Sequence, residues 1–127
     1  MAIDRRQMVA GGVFAATGCM HTREGGEAMY GLIGKMTAKP GQRDALIAVL
    51  LDGVAGMPGC FSYIVAQDPG DLDAIWITEV WDSEESHKAS LASPSVRDAI
   101  AKGRPMIAGM DAGQATRPVG GHGLARA

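Results

Sequence analysis

At 127 residues the chain is long enough for one domain and not for two. A formal charge of −2, no basic run and few aromatic residues exclude a nucleic-acid-binding surface. Two Cys and three His, with neither a C-x-x-C nor an H-x-x-x-H spacing, exclude a structural zinc site.

Residues 1–27 read as a leader. Arg5 and Arg6 stand just before a short apolar run, residues 8–17, which is too short to span a bilayer as a helix. A basic start, a short apolar middle and small residues before a break are the marks of an export signal. The run from Arg5 to Val9 resembles a twin-arginine signal. Ala16-Thr17-Gly18-Cys19 resembles a lipoprotein cleavage box, with Ala16 where Leu is usual, and makes Cys19 a lipidation candidate. The expectation is a periplasmic or membrane-anchored protein. The alternative is a loose, Gly-rich N-terminus on a cytoplasmic one.

The folded part is expected over residues 28–119, with a tail over 120–127. Residues 29–38 alternate loosely and end at Lys39-Pro40-Gly41, which predicts a strand. Gly31 and Gly34 inside it mark either a close approach of a ligand or backbone, or tight local packing. Residues 42–54 carry apolar side chains at 46, 47, 50, 51 and 54, a helical spacing that predicts a core-facing stripe. Residues 60–67 form a second strand that opens on Cys60, read as a small core residue. The turn Asp68-Pro69-Gly70-Asp71 joins it to a third strand, so the two make a hairpin.

That third strand, residues 74–82, is the densest β-forming run in the chain. Alternation puts Ile75, Ile77, Glu79 and Trp81 on one face and Ala74, Trp76, Thr78 and Val80 on the other. Glu79 then sits among apolar neighbours, where a charge is costly unless it is paired, hydrogen-bonded or protonated. Asp82 with Glu85 reads as a capping box that opens a helix to about residue 92. Ser93-Pro94 starts a second helix, carrying Val96 and Ile100, which Gly109 to Gly113 break. Residues 114–119 read as a last strand. The order predicts the ferredoxin-like α+β arrangement β-α-β-β-α-β, a four-stranded antiparallel sheet with helices on one face. The other face is apolar too, and a second copy of the chain is the economical cover.

Lys39-Pro40-Gly41, Met57-Pro58-Gly59-Cys60, Glu79-Val80-Trp81-Asp82-Ser83 and Leu91-Ala92-Ser93-Pro94 occur in an order and spacing that resemble the antibiotic biosynthesis monooxygenase domain, including its quinol monooxygenase-like members. The resemblance implies a homodimeric α+β barrel with a pocket between sheet and helices in each protomer. It implies a cofactor-independent monooxygenase that oxidises a small aromatic, phenolic or quinol ligand with O2. It also implies that Trp81 lines the pocket, that Glu79 is the Glu of an E-x-W motif, and that His87 lies where members place polar pocket residues. Ser90 stands where many quinol monooxygenase-like members carry His, and Ile77, also expected at the pocket, where a member can carry an amide. The Asn and His of a haem-degrading branch correspond to Gly34 and Ile100, so haem is not an expected partner.

Each candidate carries a plainer alternative. Glu79 is a base for the substrate proton, or a carboxylate tied to a cation or a backbone N–H. Trp81 is a pocket wall or core filling. His87 is a second catalytic candidate, or a member of a solvated helix face. Tyr63 is a hydrogen-bond partner for a phenolic ligand, or a half-buried strand residue. The rival function is a non-catalytic dimeric small-ligand-binding or stress-related module on the same fold.

Overall fold

The computed structural model describes residues 28–124, so the expected leader, with Arg5, Arg6 and Cys19, lies outside the described residues. Five strands and three helices follow in the order β1 (Tyr30–Ala38), α1 (Arg43–Gly53), β2 (Cys60–Gln67), β3 (Ala74–Trp81), α2 (Glu84–Ser90), α3 (Pro94–Gly103), a 3-10 turn (Arg104–Met106), β4 (Ile107–Met110) and β5 (Gln114–Thr116). This is the ferredoxin-like α+β arrangement, with one antiparallel sheet ordered β2-β3-β1 and both β4 and β5 on the far edge of β1. No described helix is long and apolar enough to cross a membrane.

The alternation of β3 decides which face is which. Ile75, Ile77 and Trp81 are buried beneath the helices, whereas Trp76 is 39% exposed on the opposite face. β1 lies beside β3 with Tyr30 opposite Trp81, Leu32 opposite Glu79 and Gly34 opposite Ile77. β2 lies on the other side, with Tyr63 opposite Glu79 and Val65 opposite Ile77. The core is therefore lopsided. Met36, Ala38, Leu46, Ile75 and Ile77 close-pack towards the Ala38 end of β1, and the Tyr30 end is left to Trp81, Glu79 and their neighbours.

Four expectations are corrected. The α2 cap is Ser83 and not Asp82: the Ser83 Oγ accepts the Ser86 N–H at 3.1 Å. α2 ends at Ser90, short of residue 92. Leu51, expected in the α1 core stripe, is 53% exposed; α1 is apolar on several sides, so spacing alone does not select the buried one. The second helix ends at Gly103, and the sheet gains a strand, β4, across the expected helix end and the start of its Gly109–Gly113 break; it pairs with Met36 to Ala38 of β1.

Glycines hold the helices at close range. A Cβ on Gly53 of α1 would run into the Cβ of Ala99 on α3, and one on Gly103 of α3 would come within 3.1 Å of Leu46 Cδ1 on α1. Ala is the better helix former than Gly by about 1 kcal/mol in an interior, but forcing an extra methyl into a packed contact costs about 1–3 kcal/mol. The contact should win at Gly53. The expected outcome of Gly53→Ala is a lower urea midpoint at unchanged slope; a midpoint equal to or above that of the parent would show that α1 and α3 separate freely.

Candidate functional site

The site begins with a side-chain pair on one strand face. Glu79 and Trp81, two residues apart on β3, point the same way, and the Trp81 Nε1–H donates to Glu79 Oε1 at 2.8 Å. Trp81 is 1% exposed. The bond thus satisfies an indole donor that water does not reach, and gives a half-buried carboxylate one partner. The hydrogen bond that Glu79 accepts here comes from the indole beside it and not from a backbone N–H.

His87 arrives from above. The chain turns sharply after Trp81, and the Ser83 cap starts α2 at once. Gly59, at φ +82, lets the chain entering β2 press against this corner: a Cβ there would meet the Ser86 side chain at 2.6 Å, while Gly59 O accepts the Asp82 N–H at 2.8 Å. One turn later the His87 ring lies over the end of the strands. It meets Trp81 edge-on at 5.4 Å between centroids and Tyr30 at 5.5 Å. Its Nε2 is 3.9 Å from Glu79 Oε1, too far for a hydrogen bond but close enough to attract a protonated ring. His87 is therefore half-buried over the sheet and not on a solvated helix face.

Between the inner face of the sheet and the helices lies a cavity of about 560 Å³. Gly34, Tyr63, Ile77, Glu79 and Trp81 line it from the sheet, and His87, Val96 and Ile100 from the helices. All five site residues expected from the sequence within the described residues thus face one hollow. The two strand glycines divide. A Cβ on Gly31 would collide with Thr116 of β5, so this glycine serves packing, whereas a Cβ on Gly34 would meet nothing within 4 Å. The hollow occupies the place a side chain at position 34 would fill.

Sequence reasoning did not find Arg104, which lines the same cavity just after α3. A cation following a helix carries no signal of its own. Ser90 is buried and its Oγ donates to the His87 carbonyl at 2.6 Å, so it is spent on its own helix. Among the described residues no three His, Cys, Asp or Glu side chains gather as metal ligands would. Cys60 is a free, half-buried thiol; burial and then the nearby Glu79 charge push its pKa up, which keeps it a weak nucleophile.

An antiparallel sheet roofed on one side by helices, here with an apolar hollow between the layers, defines the ferredoxin-like α+β class. The chain belongs to the antibiotic biosynthesis monooxygenase family, whose sequence model matches residues 29–102, more than half of the chain. A solved structure from Chloroflexus aurantiacus J-10-fl, assigned as an antibiotic biosynthesis monooxygenase, is 72% identical with a TM-score of 0.75, over 76% of this chain and 99% of that one. Another so assigned, from Caulobacter crescentus CB15, is 20% identical with a TM-score of 0.63, over 76% of this chain and 92% of that one. A conserved protein from Methanosarcina mazei Go1 is 15% identical with a TM-score of 0.64, over 71% of this chain and 92% of that one. The last two share the fold alone. Among curated proteins none matches the chain.

The Tyr63 phenol is pushed well above its ordinary value of 10.0, first by burial and then by the charges of Glu79 and Cys60. The folded protein therefore holds this proton after an unfolded chain has released it, and the stabilisation it brings is lost as pH rises above about 10. Tyrosinate absorbance in a pH titration should show a late step that Tyr63→Phe abolishes. The variant should also lose stability less steeply than the parent above that pH. A titration with no late step to lose would contradict the burial of this hydroxyl.

Proposed function

We propose that the protein is a monooxygenase that oxidises a small phenolic or quinol compound with O2, the substrate itself supplying the electrons. The observation that carries this reading is the hollow beside Trp81. It is of a size for one drug-sized molecule, it is apolar over most of its wall, and three of its polar groups, Glu79, His87 and Tyr63, lie close together. A hydroquinone becomes a stronger reductant once it loses a proton. Glu79 Oε1 is held by Trp81, and Oε2 has no hydrogen-bond partner among the described residues. Oε2 is thus free to take the phenolic proton, with His87 beside it to steady the charge or pass the proton on.

The balance closes without a further reductant. Converting one ring C–H to C–OH yields two electrons, and taking hydroquinone to quinone yields two more. One atom of O2 enters the ring and the other leaves as water. The protein's work is to align the ring, receive the proton and keep bulk water from the reduced intermediate. Family membership supports the oxygenase reading. One observation favours the binding-only alternative: Ser90, at the position where the family resemblance places a His, lines the cavity but commits its hydroxyl proton to the His87 carbonyl and offers no base.

Oxygen consumption by metal-free protein across a panel of hydroquinones separates the two. The expected result is turnover with at least one of them. Glu79→Gln and His87→Ala should each lower kcat/KM by about a hundredfold or more while the circular dichroism is kept. Absence of uptake with every hydroquinone, alongside tight binding of the same compounds, would leave the binding module.

We propose further that a second copy covers the outer sheet face. Ile33 (41%), Ile64 (56%) and Trp76 (39%) stand exposed there together, an apolar area that a monomer rarely leaves to water. Light scattering should give the mass of two chains, and Ile64→Asp should shift it towards one. A parent mass of one chain at every concentration rejects this arrangement.

A further inference from the structure

The cavity has a second polar feature that the oxygenase reading does not use. Arg104 lines it from the 3-10 turn that follows α3. The other cationic side chains on its wall are engaged. His87 sits beside Glu79. Lys35 lies 5.5 Å over the Trp76 ring on the outer face. Arg104 is exposed to solvent at the wall of the hollow, and it alone among these has no ion-pair or hydrogen-bond partner for its guanidinium among the described residues. Asp111, also on the wall, does not pair with it; its backbone N–H is bonded to Lys35 O at 3.0 Å.

Position matters as much as charge. Glu79 lies opposite Leu32 of β1, whereas Ile107, three residues after Arg104, lies opposite Ala38. Those rungs are six residues apart on β1, roughly 20 Å along a strand. The anionic group and the unpaired cation therefore belong to opposite ends of the hollow. A guanidinium presents a planar fork of donors that fits a carboxylate with two hydrogen bonds. A ligand carboxylate placed at the other end would face Glu79 and be repelled.

We propose that the hollow selects an aromatic acid: a phenol or hydroquinone whose carboxylate is held by Arg104 and whose oxidisable hydroxyl points the other way, to Glu79 and His87. The inference rests on the reading of the hollow as an aromatic-ligand site. It adds to that reading the charge of the ligand and its direction of entry. Glu79 and Arg104 then act as opposite poles, so that a ligand acidic at one end and phenolic at the other has one favoured orientation.

The test compares two probes under anaerobic conditions, by quenching of tryptophan fluorescence. One is naphthohydroquinone. The other is the same molecule with a carboxylate on the ring remote from the hydroxyls. The parent protein should bind the acid about tenfold more tightly, and the advantage should shrink as salt is raised. Arg104→Gln should bring the ratio of the two dissociation constants to about one, and Arg104→Lys should restore part of it. Equal binding of both probes by the parent, or an advantage that survives Arg104→Gln, overturns the role of Arg104 and leaves the aromatic site standing. Binding of neither probe overturns the aromatic site and this inference with it.

Discussion

A buried indole N–H must be given an acceptor, and a carboxylate on an apolar face must be given a donor. Trp81 and Glu79 meet both demands with one bond, because a β-strand sets residues two apart side by side on the same face. The consequence is geometric. The bond fixes one carboxylate oxygen of a residue that lines the cavity, and it holds the indole as a wall. The wall in turn gives the His87 ring a surface to pack on edge-first. Break the pair and three groups lose their positions together, since each is placed by the one before it.

The hollow exists because the helices pack more tightly on one another than on the sheet. Gly53 against Ala99, and Gly103 against Leu46, draw α1 and α3 together. The sheet-to-helix contacts are concentrated at the Ala38 end, around Leu46 and Ile75. Towards the Tyr30 end the sheet contributes Gly34, which has no side chain to fill the gap. A cavity of this kind does not report poor packing. It is bounded by well-packed contacts, and larger side chains on its floor would close it.

What could be read from residues alone follows from these same rules. β3 declared its two faces through its alternation, and burial bears that out: Ile75, Ile77 and Trp81 are inside and Trp76 is half outside. The hairpin was legible because Asp68-Pro69-Gly70-Asp71 punctuates two β-rich runs. The gathering of Tyr63, Ile77, Glu79, Trp81 and His87 around one hollow was legible through the family resemblance and the strand period together. β4 was not, because IAGM is four residues long with a glycine inside; it is a strand only because the open edge of β1 offers it partners. The choice of Ser83 over Asp82 as cap was not either, since both residue types cap helices and the decision depends on where β3 ends. The indole as partner of Glu79 is implicit in the period-two pattern, which sets residues 79 and 81 side by side on one face.

β3 also joins the two sides of the molecule. Its inner face carries Trp81 into the hollow, and its outer face carries Trp76, whose Nε1–H donates to Asp68 Oδ2 at 2.9 Å at the hairpin turn. That turn is held in place by Arg43 of α1, which donates to the Asp71 carbonyl at 2.9 Å. The outer tryptophan is thus tied through the turn to the first helix, which is the roof of the inner side. A second copy pressing on Trp76 and Ile64 would bear on the strand that carries Glu79 and Trp81. The pleat makes the two faces inseparable: no residue of β3 can shift its register without moving both tryptophans and exchanging the faces they occupy. Cover on the outside and order on the inside are therefore conditions on a single strand.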